Sequence, residues 1–231
     1  MITPAAWMPT AVEALKHAFG CRLRFVGLQG SYRRGEATEA SDIDICVILD
    51  RLAPEDVAAL RAALDRLPEG EKAAGFIAGV PQLRAWPAFE IFAFAQDMDA
   101  WHGDLAPLLP PLAEADIRLG CRTAVAALYH EAAQTLLAAP RLAATEAEAA
   151  RHSLGKAFLR ALQGVIFLRK GEFPRDRAQV VRLAAEEDAG PLRKASGKAA
   201  DGPAALGELA AACLAWSGAR LAALSEEEER A

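Results

Sequence analysis

Residues 25–49 read FVGLQGSYRRGEATEASDIDICVIL, a strand, a glycine turn, a polar loop and a second strand. Phe25–Leu28 is a short apolar run. Gly30-Ser31 breaks it at a point where backbone must come close to another group. A hydrophilic loop carrying Arg33, Arg34, Glu36 and Glu39 follows, and Ser41-Asp42-Ile43-Asp44-Ile45-Cys46-Val47 opens the second strand. Alternation along a strand sends Asp42 and Asp44 to the same face. Two carboxylates about 7 Å apart on one edge repel each other unless a cation lies between them. Mg²⁺ suits that arrangement, because it takes oxygen ligands and shares them with substrate phosphates. The plain alternative is a β-hairpin whose charged loop faces solvent. The ordered combination of motif and strand context favours the metal–phosphate reading.

Gly30-Ser31, Arg34-Gly35 and Ser41-Asp42-Ile43-Asp44, in that order between two apolar strands, resemble the signature of the DNA polymerase β-like nucleotidyltransferase superfamily. The resemblance implies a nucleoside triphosphate against the sheet edge and one or two Mg²⁺ on Asp42 and Asp44, with pyrophosphate as the leaving group. It gives Gly30 and Ser31 the β- and γ-phosphates, held by backbone N–H groups and a hydroxyl. It gives Arg34 the departing phosphates, although a salt bridge to Glu36 or Glu39 is an equally ordinary use of that side chain. Arg33 lies outside the pattern and is expected to face solvent. The superfamily adds a third carboxylate on a later strand. The nearest strand candidate here, 73–78, contains no acid, so Asp97 ranks first as third metal ligand and Glu90 second, with Glu71 and Asp99 nearby.

The chain has 231 residues, enough for one large domain or two small ones, and its 53% apolar content supports a packed core. A net charge of −5 and the lack of a Lys/Arg-rich run argue against a protein whose task is to grip nucleic acid. Cys21, Cys46, Cys121 and Cys213 have no paired spacing and are expected to be reduced. His17, His102, His130 and His152 form no metal-spaced set with them. With no signal-peptide pattern and no apolar run of membrane length, a soluble cytoplasmic protein is expected.

Helical spacing of Val12, Leu15 and Phe19 predicts a leading helix over 10–19, stopped by Gly20. Pro54 opens another, with Glu55 and Asp56 in its first turn and a stripe of Val57, Leu60, Leu64 and Leu67. Residues 82–86 are read as a short helix and 97–102 as a strand, while the apolar segment 89–94 fits either. Three prolines within 107–111 suggest an extended linker. Beyond it, helices are expected over 114–138, 145–170 (with Thr145 and Glu148 in capping-box spacing), 176–188 and 203–224, the last running into the acidic 226–229. Gly190–Gly202 reads as a mobile loop. The expected fold is α+β: a small mixed-sheet nucleotidyltransferase head, residues 1–105, followed by an all-α up-down helical bundle, 106–231.

That order of elements is similar to the kanamycin-type aminoglycoside nucleotidyltransferases. The similarity implies that a glutamate on the first bundle helix acts as general base on the acceptor hydroxyl, and Glu131 matches by position; a solvent-facing helix glutamate is the ordinary alternative. His130 beside it is read as a packing residue. The relatives build their site across a dimer, so a homodimer is implied as well. Arg169, Lys170 and Arg175, around the Phe173-Pro174 turn, are candidates for nucleotide or acceptor contacts, or simply cations at a helix C-terminus. The expected reaction is Mg²⁺-dependent transfer of a nucleoside monophosphate from an NTP to a hydroxyl of a small molecule, with no stable nucleic-acid partner and no membrane. The alternatives are nucleotidylation of a protein partner, as in antitoxin-like members, and a nucleotide-binding module that has lost catalysis.

Overall fold

The computed structural model describes residues 1–196 and 202–230. It divides into two compact units, Met1–Ala113 and Glu114–Ala231.

The first unit is organised around a mixed five-stranded sheet. Strands β1 (Leu23–Leu28) and β2 (Ile43–Leu49) lie antiparallel at its centre, with Val26 opposite Val47 and Leu28 opposite Ile45. Strands β3 (Ala73–Ala74) and β4 (Ile77–Gly79) both run parallel to β2 on its far side. The single strand expected over 73–78 is therefore two short pieces, bridged by the Val47 N–H donating to the Phe76 carbonyl at 2.9 Å. Strand β5 (Asp99–His102) pairs antiparallel with β1.

Both faces of β2 are covered, which is why its sequence is an almost unbroken apolar run. Ile43, Ile45, Val47 and Leu49 join Val26 and Leu28 in one core with Trp7, Met8 and Leu15 of helix α1 (Pro4–Phe19) and Leu60 and Leu64 of α3 (Pro54–Leu64). Between β1 and β2 lies the short helix α2 (Gly30–Arg34). Cys46 and Ile48 face the opposite way, into a second core with Phe25, Leu83 of α4 (Val80–Arg84) and Ile91 of α5 (Ala88–Gln96). Each fully buried aliphatic side chain here contributes about 1.5–3 kcal/mol of transfer free energy. By the same alternation, Asp44 belongs to the α5 side of the sheet.

Several expectations are corrected. Segment 89–94, which the sequence left open between strand and helix, is helical, within α5. The buried apolar residues of α3 are Leu60, Ala63 and Leu64, with Leu67 beyond its end, while Val57 is 45% exposed and faces outward. Asp56 does more than complement a helix end: its buried carboxylate accepts from both Arg22 Nη atoms at 2.8 Å and from the Ala53 N–H at 2.9 Å. The proline-rich stretch is not a free linker, because Leu105, Leu108, Leu109 and Leu112 pack on the second core and keep the first unit intact to Ala113.

The second unit is helical: α6 (Glu114–Ala138), α7 (Ala144–Lys170), α8 (Arg177–Leu183), α9 (Ala189–Ser196) and α10 (Pro203–Arg230). Val125, Leu128, Phe158, Leu162, Leu209 and Trp216 form its core, with Phe158 and Trp216 edge-on at 5.1 Å. Among the described residues, three long helices and two short ones thus replace the four expected. The helix predicted over 176–188 ends at Leu183, and a 3-10 turn, Glu186–Asp188, follows. The fully buried Asp188 explains that break, since it accepts from Ala185 N–H, Trp216 Nε1 and Arg169. At the start of α7, Glu146 rather than Glu148 reaches back, taking the Ala143 N–H at 2.9 Å. Of the predicted loop over 190–202, the first part belongs to α9, and 197–201 lie outside the described residues. No helix among the described residues is long and apolar enough to cross a membrane.

Candidate functional site

The stretch after β1 is not the expected polar loop. Gly30–Arg34 forms a single helical turn, α2. Residues three and four apart share a helix face, so Gly30, Arg33 and Arg34 lie together while Tyr32 turns the other way into the core, 5% exposed. The turn is fixed to β2 by the Gln29 N–H, which donates to the Asp44 carbonyl at 2.8 Å. The Gln29 side chain also donates to the Phe94 carbonyl at 3.1 Å, tying the end of α5 to the same place.

Gly30 has φ +70° and packs directly against the Asp44 side chain, so that a Cβ on residue 30 would run into the Asp44 carboxylate. Only glycine meets both demands without strain. Ser31 follows it, half-buried, with its carbonyl accepting from the Glu36 N–H at 2.8 Å. Asp42, just ahead of β2, is exposed, and Asp44 within the strand is half-buried.

Asp97 stands at the end of α5, and its carboxylate is drawn to the helical turn. Arg33 Nε donates to Oδ1 at 2.8 Å and Arg34 Nη1 to Oδ2 at 2.9 Å, with the Gly30 N–H 3.4 Å from Oδ2. Arg34 also bonds Glu36 at 3.1 Å. Arg33, expected to face solvent, has a side chain only 5% exposed and reaches Asp99 as well, at 4.0 Å. No apolar spacing in this polar stretch marks Gly30–Arg34 as helical, and it is the helical turn that brings Arg33 beside Gly30. Glu90, the second-ranked acid, accepts from Trp86 Nε1 at 2.7 Å on the surface of α5.

On the β3 side, Ala74 is the register partner of Asp44, so the neighbouring strand presents a methyl group beside that carboxylate. Among the described residues, no group of three or more His, Cys, Asp or Glu is placed to hold a metal ion. Mg²⁺ commonly binds through one or two carboxylates and completes its shell with water and phosphate oxygens. The Asp42–Asp44 pair fits that donor set, and Asp97, with both oxygens engaged by guanidinium groups, adds nothing to it as it stands.

In the second unit, Glu131 is half-buried on α6 and accepts from Ser153 Oγ of α7 at 3.2 Å. His130 is exposed rather than packed. Arg169 is engaged with Asp188 at 2.9 Å and Glu187 at 3.3 Å, a structural role at the end of α7. The Phe173-Pro174 turn is held by Gln163 Nε2 donating to the Pro174 carbonyl at 2.7 Å.

Residues 8–88 match a family model described as nucleotidyltransferase domain. The match spans α1 through the start of α5 and includes Gly30, Ser31, Asp42 and Asp44. It supports nucleotidyl transfer in general terms. No curated protein matches the chain.

Proposed function

We propose that this protein transfers a nucleoside monophosphate from an NTP to a hydroxyl group of a small molecule, releasing pyrophosphate. The observation that carries the reading is the seating of Gly30 on the Asp44 carboxylate, with Arg33 and Arg34 on the same side of the turn. Backbone N–H groups and guanidinium groups then lie next to the strand that carries Asp44, with Asp42 just ahead of it, which suits a metal-bound triphosphate.

Asp42 and Asp44 would hold Mg²⁺, which when bound supplies charge neutralisation and orientation of the phosphates. Gly30 and Ser31 bind the β- and γ-phosphates through N–H and hydroxyl donors, and Arg34 draws off the charge that develops on the leaving group. The acceptor oxygen forms a bond to the α-phosphorus as the bond from that phosphorus to the bridging oxygen breaks. The electron pair leaves with pyrophosphate. The acceptor hydroxyl gives up its proton to a general base, a role that the resemblance assigns to a glutamate. Positioning and electrostatics account for most of the rate enhancement in phosphoryl-type chemistry.

Calorimetric titration of the four NTPs, with and without Mg²⁺, into wild type and Asp44→Asn tests the reading. Mg²⁺-dependent binding that the substitution abolishes is the expected result. Folded protein that binds no NTP under either condition would leave an interaction module of nucleotidyltransferase shape.

A further inference from the structure

Two guanidinium groups converging on one carboxylate form an anion-binding clamp with its anion in place. Arg33 meets Oδ1 of Asp97 with both Nε (2.8 Å) and Nη2 (2.5 Å), while Arg34 Nη1 meets Oδ2 at 2.9 Å. The Gly30 N–H is 3.4 Å from Oδ2. Planar forks of this kind match carboxylate and phosphate oxygens alike. The carboxylate therefore uses the same donors that a terminal phosphate would use. Arg33 is held in place by burial, since its side chain is 5% exposed, whereas Asp97 is 26% exposed and sits where α5 gives way to β5.

We propose that Arg33 and Arg34 are the polyphosphate clamp of this protein, and that Asp97 is an internal anion that fills the clamp and is displaced when nucleotide enters. The inference rests on the nucleotidyltransferase reading above. With Asp97 in place, the charges around the turn are Arg33 and Arg34 against Asp97, Asp99 and Glu36, which leaves no surplus positive charge for an incoming polyphosphate. Displacement of Asp97 turns the donors that it occupies, Arg33 Nε and Nη2 and Arg34 Nη1, to the incoming phosphate, while Arg33 keeps Asp99 and Arg34 keeps Glu36. Binding is then weakened by the fraction of molecules in which the clamp stands open. The clamp is also shielded from adventitious anions until a ligand of higher charge competes for it.

The test is binding of inorganic tripolyphosphate, and separately of ATP with Mg²⁺, to wild type, Asp97→Asn, Asp97→Glu and Arg33→Gln, with thermal unfolding recorded for each. Removing the charge in Asp97→Asn empties the clamp. Tripolyphosphate affinity is expected to rise about tenfold in the absence of Mg²⁺, the effect of raising the open fraction from a tenth to near unity. Asp97→Glu retains the competing charge and keeps wild-type affinity, and Arg33→Gln loses tripolyphosphate binding. If wild type binds ATP with Mg²⁺ but Asp97→Asn gains nothing for tripolyphosphate, the displacement is wrong while the nucleotide reading stands. If Asp97→Asn weakens binding only when Mg²⁺ is present, Asp97 is a metal ligand and the proposal fails. If no folded variant binds either ligand, the nucleotide reading fails and takes this one with it.

Discussion

Replacing Gly30 by alanine probes the contact on which the site depends, and Gly35 provides its control. Both glycines have positive φ, +70° and +71°, Gly30 as the first residue of α2 and Gly35 just past its end. A Cβ on residue 35 would meet nothing within 4 Å, whereas one on residue 30 would collide with the Asp44 carboxylate. For either residue the left-handed conformation costs alanine about 1–2 kcal/mol. Loss of unfolded-chain entropy returns about 0.4–1 kcal/mol. Gly35→Ala should therefore destabilise by at most about 1.6 kcal/mol, the difference between those two terms. Gly30→Ala must also push Asp44 off its rotamer, a further cost of about 0.5–1.5 kcal/mol. Guanidinium unfolding of the two variants measures the gap directly, and Mg²⁺-dependent NTP binding should fall in Gly30→Ala alone. The double variant Gly30→Ala with Asp44→Ala should recover most of the extra loss, since the obstacle is gone. Equal destabilisation by the two glycine substitutions would refute the collision and with it the placement of Asp44 against the turn.

Two further outcomes are expected. The Arg22 guanidinium and the Ala53 N–H hold the Asp56 carboxyl at a pKa of about 2, below its ordinary value near 3.8. Its stabilising effect is complete above the ordinary value and is lost as pH falls toward about 2. Asp56→Asn should thus be clearly less stable than wild type in urea at neutral pH, with the gap closing between pH 4 and 2; a gap independent of pH would contradict the assignment. Of the four cysteines, Cys21 is exposed, while burial pushes the Cys121 thiol up to about 11 and the Cys213 thiol to about 12, and raises Cys46 further. Because the thiolate is the reactive form, a thiol-specific chromogenic reagent should modify one cysteine in the native protein and four in denaturant, and fast native labelling of a second would show that a core opens.

The amino-acid sequence alone determined the elements whose signals are local. The apolar run over 43–49, interrupted only by Asp44, placed β2, and Gly30-Ser31 marked the turn that backbone geometry requires. Alanine- and leucine-rich sequence in the second half, with Pro140 and Gly171 as stops, located α6 and α7 to within a residue. Tertiary structure alone decided the rest. Arg33 meets Asp97 across 64 residues of chain, and no spacing rule links two charged residues that far apart. Asp188 ended a helix early because Arg169 and Trp216 were waiting for its carboxylate, an arrangement made by three separate helical segments. The acidic residues of the candidate site show the division most plainly. Asp44 takes its place from its own strand, through hydrogen-bond register, whereas Asp97 takes its place from the charges that fold against it.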